Sequence, residues 1–188
     1  MRRAIVIAGM HRSGTSALAG MIGLLGAAMP RHLLGADENN PKGHWESERL
    51  MELNERMLRE GGSRWDDWRA FDPAVLGEQR LDEIVAELAA VIAEEFGDAP
   101  LIAIKDPRVC RLAPVHAQAL RRMNVEPAYV LPFRNPLAVI ASLGRRDAMT
   151  PGFAEFMWLR HVLDAEAATR ASRRSVVSYE ALLADWRA

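Results

Sequence analysis

Short apolar runs alternate along this chain with longer stretches whose apolar residues recur at helical spacing. The runs at 3–8, 101–104, 128–133 and 175–178 are continuous and partly β-branched, as is typical of strands buried on both faces of a sheet. Because strands that alternate with helices pair in parallel through crossover connections, the pattern predicts an α/β fold, a three-layer sandwich with a central parallel sheet and helices on both faces. The predicted helices lie at 14–26, 46–60, 77–96, 112–123, 136–146, 153–171 and 179–187.

No repeat, low-complexity segment or linker divides this pattern, so we expect a single domain over residues 1–188. One long interruption, 27–45, contains Pro30, Pro41 and the pair Asn39-Asn40, which indicates a loop. A loop of this length inside a compact domain is more often functional than idle. Ligands of parallel sheets bind at the carboxyl ends of strands, so the residues that directly follow each strand are the first candidates for a site.

Composition and charge narrow the classes of partner. The chain has 188 residues and a net charge of −1, so no overall basic field attracts nucleic acid or a membrane surface. An anion site must therefore be built locally. The only cysteine is Cys110, which excludes an internal disulfide framework and a cysteine-rich metal site, and which fits a reducing compartment. No signal peptide or transmembrane stretch is evident, so we expect a cytoplasmic protein.

The first strand leads directly into a glycine-containing loop and then a helix. Gly9 and Gly14 bracket four residues and Thr15-Ser16 follow, which is the spacing of a Walker A loop, except that Thr15 stands where that motif has its lysine. Glycines let the backbone approach a phosphate closely, and the helix N-terminus adds a favourable partial charge. The loop predicts a phosphate site, and the missing lysine favours a compound other than a nucleoside triphosphate.

Side chains around this loop add further donors and charge. Ser13, Thr15 and Ser16 offer hydroxyl groups, and Arg12 can lie beside the anion as a fixed positive charge. The alternative is a tight strand-to-helix turn that binds no ligand.

A second candidate anion site follows the third strand. Arg134 comes directly after it, and Pro136 suits the first turn of the next helix. Ser142 lies eight residues after Arg134, about two turns along that helix. An arginine and a serine so placed can clamp a second phosphate. The alternative is an arginine that caps a helix or pairs with an acid and a serine that only packs.

Together these two motifs resemble the sulfotransferase family that uses 3′-phosphoadenosine 5′-phosphosulfate (PAPS). Its Walker-like loop, Lys/Arg-Ser-Gly-Thr-Ser/Thr, takes the 5′-phosphosulfate and matches residues 12–16 here. Its arginine and serine, eight residues apart, take the 3′-phosphate and match Arg134 and Ser142. The segments 40–46, 105–108 and 176–183 are also similar to bacterial members, so the resemblance spans roughly the whole chain.

The resemblance implies a P-loop NTPase-like fold and a specific reaction. A sulfuryl group would move from PAPS to a hydroxyl or amine of a small-molecule or carbohydrate acceptor, with adenosine 3′,5′-bisphosphate as the product and no metal required. The binding residues would be Arg12, Ser13, Gly14, Thr15, Ser16, Arg134 and Ser142.

Two features depart from the family pattern. Family members usually carry a later segment with Arg, Lys and Gly that closes over the nucleotide, whereas this sequence ends at Ala188, so either the segment is missing or the chain is cut short. The histidine that activates the acceptor in cytosolic members, within a Lys-x-His segment, is also absent. Here Lys105 is kept, but Pro107 occupies the position of the histidine. A general base must therefore come from elsewhere.

Four residues are candidates for the chemistry. Arg12 and Lys105 can stabilise charge on the leaving phosphate. Glu46 is our first candidate for the base, because several family members place a catalytic glutamate in this region. His44 is the alternative, since its ordinary pKa suits proton transfer near neutrality. The plain structural interpretations are a first-turn glutamate of a helix for Glu46 and an exposed loop residue for His44.

Other features leave alternatives open. Asp106 follows an apolar strand as a magnesium-binding aspartate would, but an ion pair with Arg108 or Arg111 is the interpretation we favour. The rival functions are an ATP-dependent small-molecule kinase with an atypical loop and a catalytically inactive nucleotide-binding domain. Three tryptophans have more than one interpretation: they line an acceptor pocket, stack on adenine or only pack in the interior. They are Trp45, Trp65 and Trp68.

Overall fold

A four-stranded sheet runs through residues 1–185, the part of the chain that the computed structural model describes. The strands lie in the order second, first, third, fourth, and all three pairings are parallel. The predicted parallel sheet is therefore confirmed, with each strand where the apolar runs placed it. The strands are β1 (Arg2–Ile7), β2 (Leu101–Lys105), β3 (Val125–Phe133) and β4 (Arg174–Ser178).

The helices lie where the periodicity predicted them, with ends that differ by less than a turn within the described residues; the predicted end of the last helix, at residue 187, lies outside them. One difference matters for the site. The helix that was predicted to begin at residue 46 begins at Glu48. Ser47 caps it: its Oγ accepts a hydrogen bond of 3.2 Å from the amide of Leu50. The helices are α1 (Thr15–Leu24), α2 (Glu48–Glu60), α3 (Glu78–Phe96), α4 (Val109–Arg122), α5 (Pro136–Asp147), α6 (Pro151–Thr169) and α7 (Tyr179–Ala184), with a 3-10 turn at Pro73–Leu76.

Helices cover both faces of the sheet, which gives the predicted three layers. Ala4, Val6 and Ile104 point to one face and share a core with apolar residues of α2, α3 and α4. Ile7 and Ala103 point to the other face and pack against α1. Alternate strand residues thus enter opposite cores, as the pleat requires. No helix among residues 1–185 has both the length and the apolar character needed to cross a membrane.

The strand order creates a switch point between β1 and β3. The chain leaves β1 toward β2 on one side, whereas it leaves β3 toward β4 on the other. The two departing segments therefore separate at the carboxyl ends of adjacent strands, and a crevice opens between them. Its walls are the glycine-containing loop that ends at Gly14 and the turn at Arg134, which are the two segments that the sequence marks as anion sites.

Candidate active site

Residues of the loop after β1 line the crevice. Gly14 is the N-cap of α1 with φ 84°, and Arg12 also has a left-handed φ of 68°. A left-handed non-glycine residue costs about 1–2 kcal/mol, so the fold must hold Arg12 in place. The loop is closed internally by the amide of Ser13, which donates to the carbonyl of Met10 at 3.2 Å. No residue of 1–185 accepts a hydrogen bond from the amides of Gly14, Thr15 or Ser16, which leaves them available to an anion.

The two predicted phosphate motifs meet at this loop. Arg12 Nε donates to Ser142 Oγ on α5 at 2.8 Å, and Arg134 donates to the backbone carbonyl of Arg12 at 2.7 Å. Arg12 also donates to the carbonyl of Asn39 at 3.1 Å. Residues far apart in the sequence thus form one cluster across the crevice.

Among residues 1–185, no acid forms an ion pair with Arg12 or Arg134. The hydrogen-bond acceptors of Arg12 are a hydroxyl and a backbone carbonyl, both neutral. Burial lowers the pKa of Arg12, and the nearby cations Arg146 and Arg134 lower it further, against the weaker opposing effects of Asp147 and Asp37. A group whose charge is disfavoured by its surroundings becomes more stable when an anion binds. The arrangement therefore fits a ligand with more than one negative group.

Tyr179 completes this side of the site, and sequence analysis missed it. It begins α7 at the end of β4, and a Cβ atom on Gly14 would lie only 2.1 Å from Tyr179 Cδ2. The guanidinium of Arg134 lies 4.9 Å from the centre of the Tyr179 ring, within cation–π range. The position of Tyr179 just after a strand was the available signal. A cleft of about 560 Å³ opens here, and its walls include Arg12, Thr15, Lys42, Trp45, Arg134 and Tyr179.

A buried ion pair lies beside the same loop. Lys105 ends β2, where it pairs with Ile7 of β1, so its side chain reaches the crevice. Its Nζ donates to Glu46 Oε1 and, at 3.0 Å, to the carbonyl of His44, and it lies 3.4 Å from Ser16 Oγ. The side chains of Lys105 and Glu46 are 3% and 4% exposed, so water screens the pair little. The structure thus brings two of the predicted catalytic residues together.

The long loop before α2 lies across the glycine-containing loop. Asn40 Nδ2 donates to Ser16 Oγ at 3.0 Å, and Ser16 Oγ in turn donates to the carbonyl of His44 at 3.2 Å. The imidazole of His44 faces Asp37, with Nε2 3.1 Å from Asp37 Oδ2. His44 therefore contributes its backbone carbonyl to the Lys105 site, and its ring pairs with a different carboxylate.

Asp106 and Arg108 extend the ion pair into a network. Arg108 donates to Asp106 Oδ1 from its backbone amide and from its guanidinium, each at 2.9 Å. Asn54 Nδ2 donates to Asp106 Oδ2 at 2.8 Å, so both carboxylate oxygens are already engaged. The predicted ion pair of Asp106 with Arg108 is confirmed. Arg111, the other candidate partner, instead donates to the backbone carbonyls of Arg64 and Arg69.

Within this network Glu46 is the carboxyl group that takes up a proton most readily. Burial raises the pKa of Glu46, and Asp106 raises it as well, against the opposing effects of Lys105 and Arg108. Burial also acts to raise the pKa of Asp106, but Arg108 and Asn54 outweigh it, so that pKa is lowered. The surroundings thus drive the pKa values of these two neighbouring carboxyl groups apart. A difference of this kind distinguishes a carboxyl group that can accept a proton from one that stays charged.

A solved structure with the same architecture is the sulfotransferase domain of the olefin synthase of Synechococcus PCC 7002. The two superpose with a TM-score of 0.60 at 21% sequence identity, over 100% of this chain and 69% of that one. The chain has the fold of a sulfotransferase domain. The fold implied by the two motifs is thereby confirmed. No protein-family model and no curated protein sequence matches the chain.

The three candidate tryptophans lie in three different surroundings on the sulfotransferase fold. Trp45 packs against Gly20 of α1 and lines the cleft. Trp68 is 55% exposed, with its ring 6.0 Å from that of Phe156. Trp65 packs between the glycine-containing loop and α5, since its ring lies 4.6 Å from that of His11 and 5.6 Å from the guanidinium of Arg146.

Sequence analysis also missed His11, which lies within the loop, and Arg146, which lies beside it. Arg146 lies one helical turn after Ser142 on α5, with a guanidinium nitrogen 3.5 Å from His11 Nδ1. Burial and then the charge of Arg146 hold the pKa of His11 well below its usual range, so His11 is neutral at pH 7. Among residues 1–185, no cluster of three or more His, Cys, Asp or Glu side chains has the arrangement of a metal site.

Proposed function

We propose that the protein is a sulfotransferase that moves a sulfuryl group from PAPS to a hydroxyl or amine of a small-molecule or carbohydrate acceptor. The observation that carries the proposal is the junction of Arg12, Arg134 and Ser142 at the switch point, beside the buried pair of Lys105 and Glu46. A cationic cluster for an anionic donor and a carboxyl group for the acceptor's proton thus lie along one loop. The sulfotransferase fold supports the same interpretation.

The donor side of the proposal assigns the two anionic ends of PAPS to two groups of residues. The 5′-phosphosulfate would lie on the amides of Gly14, Thr15 and Ser16, with Arg12 beside it. The 3′-phosphate would lie between Arg134 and Ser142. Anions are favoured at a helix N-terminus and by charge-assisted hydrogen bonds, so each end has its own source of binding energy.

PAPS supplies an activated sulfur whose bond to the 5′-phosphate oxygen breaks as the acceptor oxygen bonds to it. Glu46 takes the proton from the acceptor hydroxyl, and the electron pair of the broken bond leaves on the 5′-phosphate. When Glu46 gains that proton it loses its charge, which weakens its hold on Lys105. Lys105 Nζ, 3.4 Å from Ser16 Oγ, is then available to the charge that develops on the leaving phosphate.

The kinase alternative draws support from one observation, since Lys105 brings an amino group to a loop that lacks the Walker lysine. That amino group is held by Glu46, however, and both oxygens of Asp106 accept hydrogen bonds from Arg108 and Asn54. A magnesium ion at Asp106 would lie beside the guanidinium of Arg108, which pairs with that carboxylate at 2.9 Å, and repulsion between the two cations disfavours it. The sulfotransferase proposal places no metal ion at Asp106 and is the better fit.

Ligand-induced thermal shifts separate these functions. Adenosine 3′,5′-bisphosphate at about 100 times its Kd adds about 2.7 kcal/mol to the free energy of unfolding. At roughly 2–4 °C per kcal/mol for a chain of this size, we expect the Tm to rise by several degrees. A rise with Mg-ATP alone would contradict the sulfotransferase proposal. The absence of a response to both ligands would favour a domain that has lost nucleotide binding.

A further inference from the structure

Arg108 connects three carboxylates that belong to different parts of the site. Its Nε lies 2.5 Å from Glu55 Oε1, and one terminal nitrogen lies 2.9 Å from Asp106 Oδ1. The same terminal nitrogen lies 3.7 Å from Glu46 Oε2, too far for a good hydrogen bond but close enough for a strong charge interaction. Arg108 therefore interacts with three carboxylates, and its interaction with Glu46 is the longest of the three.

We propose that Glu55 is a positioning residue for Glu46: by holding Arg108, it limits how closely that guanidinium approaches the Glu46 carboxylate. The inference rests on the proposed role of Glu46 as the base. Nothing in the proposed reaction requires Glu55 to touch donor or acceptor. Glu55 acts from α2, the helix that begins just after Glu46.

The charges around Glu46 make its proton affinity sensitive to this competition. Lys105 and Arg108 favour the charged carboxylate, whereas Asp106 and burial disfavour it. Three acids, Glu46, Asp106 and Glu55, share these two cations. If Arg108 moved closer to Glu46, the charged form would gain stability and the base would bind its proton less tightly. Glu55 thus keeps Glu46 a stronger base than its two cationic neighbours alone would allow.

Replacement of Glu55 by glutamine tests the proposal without disturbing the buried core. The Glu55 side chain is 22% exposed, against 4% for Glu46, and glutamine keeps an acceptor oxygen for Arg108. Loss of the Glu55 charge weakens its hold on Arg108, which lets that guanidinium move closer to Glu46, and it removes a nearby negative charge. Both effects act in one direction, so we expect Glu55→Gln to lower the pKa of Glu46 by roughly 0.5–1 unit.

The measurement is a carboxyl-carbon NMR titration of the full chain without nucleotide, with the Glu46 signal assigned by its loss in Glu46→Gln. The matched control is Glu52→Gln, an exposed residue of the same helix that makes no ion pair with any of residues 1–185. We expect the control to leave the Glu46 titration unchanged. An unchanged or upward shift in Glu55→Gln, or an equal downward shift in Glu52→Gln, would overturn the proposal.

The same Glu55→Gln substitution in a protein that also carries Arg108→Lys distinguishes an effect through Arg108 from the direct charge effect of Glu55. Lysine keeps the charge of Arg108 but lacks the planar fork that reaches several carboxylates at once. In Arg108→Lys we expect the shift caused by Glu55→Gln to fall by about half or more. A shift of full size would show that Arg108 is not the link. Because these titrations need no turnover, a failure of sulfuryl transfer would leave their result readable.

Discussion

The two halves of the site treat positive charge in opposite ways. At the donor side, Arg12 and Arg134 donate to a hydroxyl and to backbone carbonyls, which leave their charge unbalanced. On the other side of the same loop, Lys105 and Arg108 are paired with acids, and the acids outnumber them. One region therefore has an excess of cations and the other an excess of carboxylates.

This difference assigns the two regions different tasks. A region with unbalanced guanidinium groups becomes more stable when it binds an anion, so it selects and orients a ligand. A buried region with surplus carboxylates becomes more stable when it gains a proton, so it can accept one during a reaction. The shared boundary is Ser16, whose Oγ lies within 3.4 Å of Lys105 Nζ. Substitutions in the guanidinium region should therefore weaken nucleotide binding, and substitutions in the carboxylate region should lower turnover.

The largest effect should follow replacement of Glu46 by glutamine. Glutamine keeps an oxygen for Lys105 but cannot take the acceptor's proton, so we expect kcat to fall by about 10²–10⁴-fold. Steady-state kinetics with PAPS and an accepted substrate measures this loss. The Kd for adenosine 3′,5′-bisphosphate should not change, because Glu46 takes no part in the hydrogen bonds that join Arg12, Arg134 and Ser142.

Two results would contradict this assignment. Turnover at the wild-type rate in Glu46→Gln would remove Glu46 as the base and return attention to His44. A parallel loss of bisphosphate affinity would mean that the carboxylate region also holds the nucleotide, and the division between the two regions would fail.

A smaller effect should follow replacement of Arg134 by glutamine. Loss of a charged donor to the 3′-phosphate should weaken adenosine 3′,5′-bisphosphate by about 10- to 100-fold. Adenosine 5′-phosphosulfate lacks the 3′-phosphate and should lose much less affinity in the same variant. Isothermal titration with the two nucleotides gives the comparison directly.

The control for Arg134 is Arg145→Gln, an exposed arginine in the last turn of α5. It removes the same charge near the same helix without a contact to the loop, so both nucleotides should bind as in the wild type. Equal weakening of the two nucleotides in Arg134→Gln would instead show that Arg134 acts by holding the backbone of Arg12.

The donor side could be predicted from the sequence because it depends on local order. A strand followed by Gly9 and Gly14 fixes a loop, and an arginine directly after another strand is placed at the same edge of the sheet. Arg134 and Ser142 are also linked by helical spacing. The spacing of Arg134 and Ser142 is a local relation, whereas Arg12 joins them across more than 120 residues because both loops follow strands at the same edge of the sheet.

The carboxylate side could be predicted only in part. Glu46 and Lys105 were named as separate candidates, but their pairing joins the end of β2 to a loop 59 residues away, and no local pattern encodes that contact. The roles of Arg108 and Glu55 depend on how three acids share one guanidinium, which only side-chain geometry reveals. Tyr179 was missed for the same reason, because its contact with Gly14 bridges opposite ends of the chain.

The smallest expected effect is a change in how the free energy of unfolding depends on pH when Glu46 or Asp106 is replaced. This effect distinguishes the two acids. The pKa of Glu46 is raised above its ordinary value of 4.5, so its contribution to stability is full below about that pH and is lost as pH rises through the raised pKa. The pKa of Asp106 is lowered from 3.8, so its contribution is present above that pH and is lost as pH falls through the lowered pKa. The two acids therefore have opposite signs.

Urea unfolding of the wild type and of Glu46→Gln at several pH values isolates the first contribution. Glutamine cannot titrate, so the free energy of unfolding of the wild type minus that of the variant should fall as pH rises above 4.5, by about 1.4 kcal/mol for each unit of pKa difference. The same subtraction with Asp106→Asn should fall in the opposite direction, as pH drops below 3.8. If both differences changed in the same direction, Glu46 would not be the acid that binds the proton, and the base would have to be sought outside the Lys105 pair.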